Sequence, residues 1–291
     1  TGLGSKAQNS NLITPQIIQQ VEAATKKINF IGFHNSNKAP HFVNWVIQTL
    51  ADSLGSGANE EARYTNGLTI LDNSGLNIYT TLDFNLETYV ENAVQRHLNQ
   101  PEIQEYKEYL GPVVLSQNNN IHDSAVVVMD AKTGEVLAMN GSANWNDQSK
   151  QGSGNTNMAT SPRQPASTFK TIAVAAAYQA GWYPGMVAAD FKTYFPVGTD
   201  QSQATNANNT YVPPDYGGTW HNMNTNVSVA ISNSFNIPAL KSQYYAGVQN
   251  VYDMALRLGI TTINPQKDVV PSMTLGTSGV SLLQMTGAYQ A

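Results

Sequence analysis

The 291 residues carry 15 basic and 20 acidic side chains, a formal charge of -5, and 41% hydrophobic content, a balance that admits a packed core and argues against a nucleic-acid partner. No run reaches the roughly 20 apolar residues that a membrane-spanning helix requires, and no signal peptide pattern is present, so any membrane anchor is expected outside this stretch. The absence of cysteine is compatible with an oxidising exterior.

Residues 1–38 are polar and read as linker, with a helix predicted over Gln16–Lys27 and a loop around Asn35 to Lys38. Pro40, Phe42, Val43, Val46, Ile47, Leu50 and Leu54 then recur at helical spacing, ending at a Gly/Ser break over Ser53–Asn59. Leu76–Leu82 reads as a strand, and Asp83 or Asn85 starts a helix through Leu98. Ala125–Met129 and Glu135–Met139 are two apolar β-type runs, so the Lys132-Thr133-Gly134 between them reads as a hairpin turn. Phe169, Ile172, Ala173, Ala176, Ala177 and Ala180 mark the next helix, and Gly181 stops it. The stretch Thr199–Asn226 is rich in Asn, Thr, Gly and Pro and carries the aromatics Tyr211, Tyr216 and Trp220. A loop of that length is a candidate wall of a substrate cleft, with Tyr216 and Trp220 as contact residues, or else a plain surface excursion. Val227–Ile231 is apolar, Ala239–Tyr245 and Val251–Leu258 are helical in pattern with Gly247 and Gly259 as stops, and Ser281–Tyr289 begins a last helix.

Ser167-Thr168-Phe169-Lys170 concentrates the chemistry. A hydroxyl and an amine three residues apart at a helix start share one face, close to the free N–H groups of the first turn. Lys170 leads an almost uncharged helix, and burial there disfavours its ammonium, pushing it toward the range in which a lysine serves as general base for a serine nucleophile. The competing reading is a capping serine beside a solvated lysine.

The five histidines, His34, His41, His97, His122 and His221, are assigned to surface and loop roles. No nucleophile-elbow glycine pattern brackets a serine and no two histidines have helical metal-ligand spacing, so neither a Ser-His-Asp triad nor a metal or organic cofactor is predicted.

Arg163-Gln164-Pro165-Ala166-Ser167-Thr168-Phe169-Lys170 resembles the first active-site motif of penicillin-binding proteins and serine β-lactamases. Ala39-Pro40-His41-Phe42-Val43, Leu76 to Asp83, Val127 to Asp130, Thr133 to Met139, Ser234-Phe235-Asn236-Ile237-Pro238-Ala239 and Gly279 to Met285 follow in the order found in bifunctional class A penicillin-binding proteins, a resemblance spanning residues 39–291. It implies an α+β fold, an antiparallel sheet packed between helical layers. It also implies acyl transfer on peptidoglycan stem peptides: Ser167 attacks the bond between two terminal D-alanines, Lys170 takes its proton, Ser234 relays a proton and Asn236 holds the substrate amide. β-Lactams are the implied inhibitors, and the outer face of the bacterial cytoplasmic membrane is the implied location. Three other serines, Ser116, Ser142 and Ser153, also precede an asparagine by two residues; Ser234 is preferred because it follows an apolar stretch and precedes Pro238, which suits a helix start.

The family's third motif, lysine-threonine-glycine on a strand downstream of the asparagine motif, is not matched by Lys132-Thr133-Gly134, which lies far upstream. The site is therefore expected to be C-terminally incomplete in this chain, with a partner segment of the same protein supplying that strand, and the chain alone is expected to be inactive. Residues 1–75 are expected to form the linker region after a glycosyltransferase domain, no motif of which is found here, and 76–291 the transpeptidase domain. The alternatives are a D,D-carboxypeptidase or β-lactamase on the same scaffold, and a penicillin-binding sensor or scaffold without turnover.

Overall fold

The computed structural model describes residues 14–25, 37–101, 113–147, 149, 154–196 and 210–291. The chain divides into two compact units, 1–38 and 39–291. In the first, helix α1 (Pro15–Thr25) matches the predicted helix, whose residues 26 and 27 lie outside the described ones.

The second unit opens with α2 (Pro40–Leu54), Pro40 occupying the first turn where its missing N–H costs nothing. It turns back at Gly55 into α3 (Glu60–Ser74), which Asn59 caps by accepting Ala62 N–H at 2.8 Å. The periodicity does not announce α3, because its one buried residue among the described positions is Gly67. That glycine and Gly55 set the closeness of the pair: a Cβ on Gly67 would collide with the Ala51 backbone, and one on Gly55 with the Arg63 carbonyl.

The strand predicted over Leu76–Leu82 is not formed. Leu76, Ile78 and Tyr79 are exposed and the segment is extended without a ladder. Its end alone is tied down, where Thr81 Oγ1 donates to Val136 O at 2.6 Å and Asp83 N–H to Leu137 O at 2.9 Å. Alternating β-formers make a strand only where a partner edge offers them hydrogen bonds, and here helix takes over at once. Asp83 caps α4 (Phe84–Asn99), receiving the Asn85 and Leu86 N–H groups, and the one-turn α5 (Leu115–Asn118) precedes the sheet.

The predicted hairpin is present as β1 (Val126–Met129) and β2 (Val136–Asn140), antiparallel, with a register irregularity between Val128 and Met129. Asp130 Oδ1 accepts Lys132 and Thr133 N–H, and Gly134 adopts φ 75°, which a side chain would disfavour. Lys132, Thr133 and Gly134 are exposed in this turn, as expected. Helices lie on both sides of the pair. Phe42 and Ala39 at the start of α2 pack with Val136 and Met139, while Leu283 in α10 (Leu282–Gln290) joins the same cluster together with Val127 and Met129. From α4, the buried Glu87 accepts Met139 N–H at 2.8 Å, and burial raises its carboxyl above the ordinary glutamate range.

A second apolar core gathers α6 (Lys170–Gln179), α9 (Val248–Arg257), α10 and the 3-10 segment Pro271–Leu275 around Phe169, Ile172, Val251, Ile260 and Met273. Against α6 runs α8 (Asn236–Ala246), preceded by α7 (Val227–Ser232), which Asn226 caps. These helices agree with the predicted patterns to within a turn at each end. The candidate site residues collect where α6 and α8 begin.

Candidate active site

Ser167 lies in a 3-10 turn, Ala166–Phe169, that leads directly into α6. Lys170 N–H donates to Ser167 O, so the two residues sit one tight turn apart, Ser167 exposed and Lys170 buried at 2% exposure. The turn starts from a strained residue: Ala166 has φ 49°, a left-handed conformation that costs a residue with a Cβ about 1–3 kcal/mol. The segment 276–280 holds it there. Arg163 and Val280 exchange both backbone hydrogen bonds, at 3.0 and 2.8 Å, Gln164 Nε2 donates to Thr277 O, and Ala166 N–H donates to Gly276 O at 3.3 Å. Gly276 itself has φ 72° and presses so closely on Ala166 that a Cβ would overlap its backbone. From α10, Tyr289 O–H donates to Thr168 O at 2.7 Å and accepts from Thr171 Oγ1 at 2.9 Å.

Lys170 Nζ donates to Ser234 O at 2.5 Å, to Ser234 Oγ at 3.1 Å and to Asn236 Oδ1 at 2.6 Å. The three predicted residues Lys170, Ser234 and Asn236 are thus brought together. The Lys170 hydrogen bonds all go to Ser234 and Asn236 and none to Ser167, and among the described residues Ser167 Oγ has no partner. Burial lowers Lys170 from 10.5 to about 8, with the Asp215 charge opposing the shift. At pH 7 about a tenth of such lysines are neutral, against about one in three thousand at the ordinary value.

Ser234 lies on the connection between α7 and α8 with φ 57°, a second strained position, and Asn236 opens α8 two residues before Pro238. Strain at both Ala166 and Ser234 places backbone cost on the two turns that carry the hydroxyls. Asn236 is clamped from behind: Asp215 Oδ1 accepts its N–H at 2.5 Å, and its Nδ2 donates to Pro214 O at 2.6 Å. Asp215 is buried and its carboxyl is raised, mainly by that burial. His221 Nδ1 lies 3.0 Å from Asp215 Oδ2 and 2.8 Å from Oδ2 of Asp190, a fully buried carboxylate, and these hydrogen bonds, Asp190 first, raise the imidazole.

The predicted contact residues diverge. Trp220 is partly buried against Phe195, Ile237 and Leu240 and donates its indole N–H to Pro213 O, whereas Tyr216 stands fully exposed. The expected loop around them includes residues 199–209, outside the described ones. Among the histidines, His34 also lies outside, and His41 departs from its predicted surface role: it is buried in α2, its Nε2 2.8 Å from Ser142 Oγ, its Nδ1 unpartnered among the described residues. Desolvation lowers it to about 4. Sequence reasoning missed Asp190, Asp215, Gly276 and Tyr289. The one available signal was Pro213-Pro214-Asp215-Tyr216-Gly217-Gly218, a turn composition directly upstream of His221.

With this geometry, residues 124–291 match the penicillin binding protein transpeptidase domain, more than half of the chain. The chain belongs to this family. Penicillin-binding protein 2D of Bacillus subtilis (strain 168) is 27% identical over 255 residues, 88% of this chain and 31% of that protein. The chain thus spans about a third of the length of the curated relative it matches. The transpeptidase fold is shared with the penicillin-binding protein PonA1 of Mycobacterium tuberculosis, at TM-score 0.56 and 19% identity over 85% of this chain and 56% of that one. It is shared also with the transpeptidase domain of Burkholderia pseudomallei penicillin-binding protein 3, at TM-score 0.51 and 17% identity over 73% and 57%. No helix among the described residues is long and apolar enough to cross a membrane.

Proposed function

We propose that this chain carries the acylation machinery of a class A D-Ala-D-Ala transpeptidase that cross-links peptidoglycan stems outside the cytoplasmic membrane. The observation that carries this reading is the buried Lys170 ammonium held by Ser234 and Asn236 one turn from the exposed Ser167. In its neutral form the Lys170 amine has a lone pair for the Ser167 proton, and Ser167 Oγ then adds to the stem carbonyl; collapse expels the D-alanine amine, protonated through Ser234, and leaves an acyl-serine. An amine from a second stem reverses the sequence and forms the cross-link. Asn236, pinned by Asp215 and Pro214, offers a fixed amide to the stem backbone.

The carboxylate-binding strand that class A chemistry calls for is assigned to the rest of the full-length protein, since Lys132-Thr133-Gly134 occupies the exposed β1–β2 turn. The test is fluorescent penicillin labelling of the full-length protein with peptide mapping by mass. A single adduct on Ser167, lost in Ser167→Ala with the circular dichroism spectrum unchanged, is the expected result; an adduct elsewhere refutes the assignment.

A further inference from the structure

Behind Asn236 lies a group of side chains that acyl transfer leaves unused. Oδ2 of Asp190 and of Asp215 both lie within 3.0 Å of the single nitrogen Nδ1 of His221, and one donor atom from each residue falls within 4.8 Å of the other two. One N–H cannot serve two carboxylates well, and beside two buried carboxylates this close a single imidazolium leaves one negative charge without a partner. The neighbouring ammonium groups feel these charges but spend their hydrogen bonds elsewhere: Lys241 Nζ donates to Ala189 O, and Lys170 Nζ to Ser234 and Asn236. A second observation is independent of the cluster's own hydrogen bonds. Asp190 is 0% exposed, and its other oxygen, Oδ1, is buried with no hydrogen-bond partner among the described residues. Such an orphan is costly in a protein that folds to leave it so.

We propose that Asp190, Asp215 and His221 form a divalent cation site that takes zinc, with the Asp190 carboxylate, its orphaned Oδ1 included, the Asp215 carboxylate, the His221 imidazole nitrogen and a remaining position facing solvent past the 45% exposed His221 side chain. The donor set is a zinc set. Ligand bonds of about 2.0–2.2 Å in tetrahedral geometry hold donors roughly 3.4 Å apart, so the 2.8 and 3.0 Å separations open by about half an ångström when the ion replaces the shared proton. The backbone keeps the ligands in place without the ion. Asp190 exchanges backbone hydrogen bonds with Met223, two residues beyond His221, and Asp215 N–H donates to Thr219 O.

The site is built into the Ser234-Phe235-Asn236 turn. The His221 ring stacks on Phe235 at 3.9 Å, and the second oxygen of Asp215 holds Asn236 N–H. An ion there fixes from behind the turn that faces Lys170 from the front.

The experiment strips the full-length protein with a chelator, then measures zinc binding by equilibrium dialysis with metal quantification, alongside thermal unfolding in Zn²⁺ alone. The expected result is one equivalent of zinc that Asp190→Asn and His221→Ala both lose, with a rise in unfolding midpoint of about 5 °C or more at a hundred-fold excess over Kd in the parent only. Absence of stoichiometric binding in the parent overturns the proposal and leaves a hydrogen-bonded trio. Undiminished binding in His221→Ala also overturns it, placing the ion elsewhere. His221 is half exposed, so its replacement carries the test should Asp190→Asn fail to fold. Zinc binding does not require Ser167 to react, so its outcome is separate from that of penicillin labelling.

Discussion

Asn236 Oδ1 accepts the Lys170 ammonium at 2.6 Å, joining the first residue of α8 to the first residue of α6. Two helix starts are thereby locked together around one buried cation. The lock supplies acceptors that offset part of the ammonium's desolvation, yet burial still wins and brings the lysine to about 8.

Acylation by a β-lactam should follow the deprotonation of Lys170. Below pH 8 the amine is mostly protonated and cannot accept the Ser167 proton, so the labelling rate is expected to climb by about tenfold per pH unit and level off above about 8. Stopped-flow labelling between pH 6 and 9.5 measures this directly. A flat profile would exclude Lys170 as the base, and Lys170→Arg should drop the rate by about 10² to 10⁴.

Gly276→Ala should damage both stability and site. The new Cβ adds left-handed strain and meets the Ala166 backbone, together costing roughly 2–4 kcal/mol, and it displaces the turn that carries Ser167. Gly259→Ala is the control, because Gly259 has φ 84° with nothing within 4 Å and so adds strain without a clash. Urea unfolding should place the first variant below the second, and labelling should slow by tenfold or more in the first alone.

Burial of His41 should make the protein acid-sensitive. Its folded value, about 4, lies below the unfolded 6.5, so the unfolded chain binds the extra proton between these limits and stability falls as pH drops from 6.5 toward 4. The full window is worth on the order of 3 kcal/mol. Denaturant unfolding at pH 7 and pH 5 should show a smaller acid loss in His41→Asn than in the parent, and equal losses would contradict the buried neutral imidazole.

Tyr289→Phe removes the hydroxyl that bonds Thr168 O and Thr171 Oγ1. A loss of about 1 kcal/mol is expected, with labelling of Ser167 slowed a few-fold, since the Phe ring retains the packing. Thermal unfolding and labelling rates on one preparation check both, and wild-type values in both would remove α10 from the support of the Ser167 turn.

The amphipathic spacing of Phe42 to Leu54, the capping Asp83, the β runs around Lys132-Thr133-Gly134 and the apolar face following Lys170 all carry local instructions that a reader of residues recovers. Two elements escaped that reading for opposite reasons. Leu76–Leu82 has strand-forming residues without a partner edge, and α3 is a helix held by a glycine contact that leaves no apolar stripe. The site residues divide the same way. Ser167, Lys170, Ser234 and Asn236 stand in compact patterns at or just before the starts of α6 and α8, where turn composition is local.

By itself, then, the order of residues determined the helix starts, the hairpin and the chemical identity of four side chains, since turn composition, capping and periodicity act over a few residues. The pairing of Lys170 with Ser234 and Asn236, the pressure of Gly276 on Ala166 and the meeting of Asp190, Asp215 and His221 were decided by tertiary structure. These contacts join segments tens of residues apart, and which of them form depends on how the faces of α6, α8 and α10 pack, a choice made by burial of the whole core rather than by any local stretch.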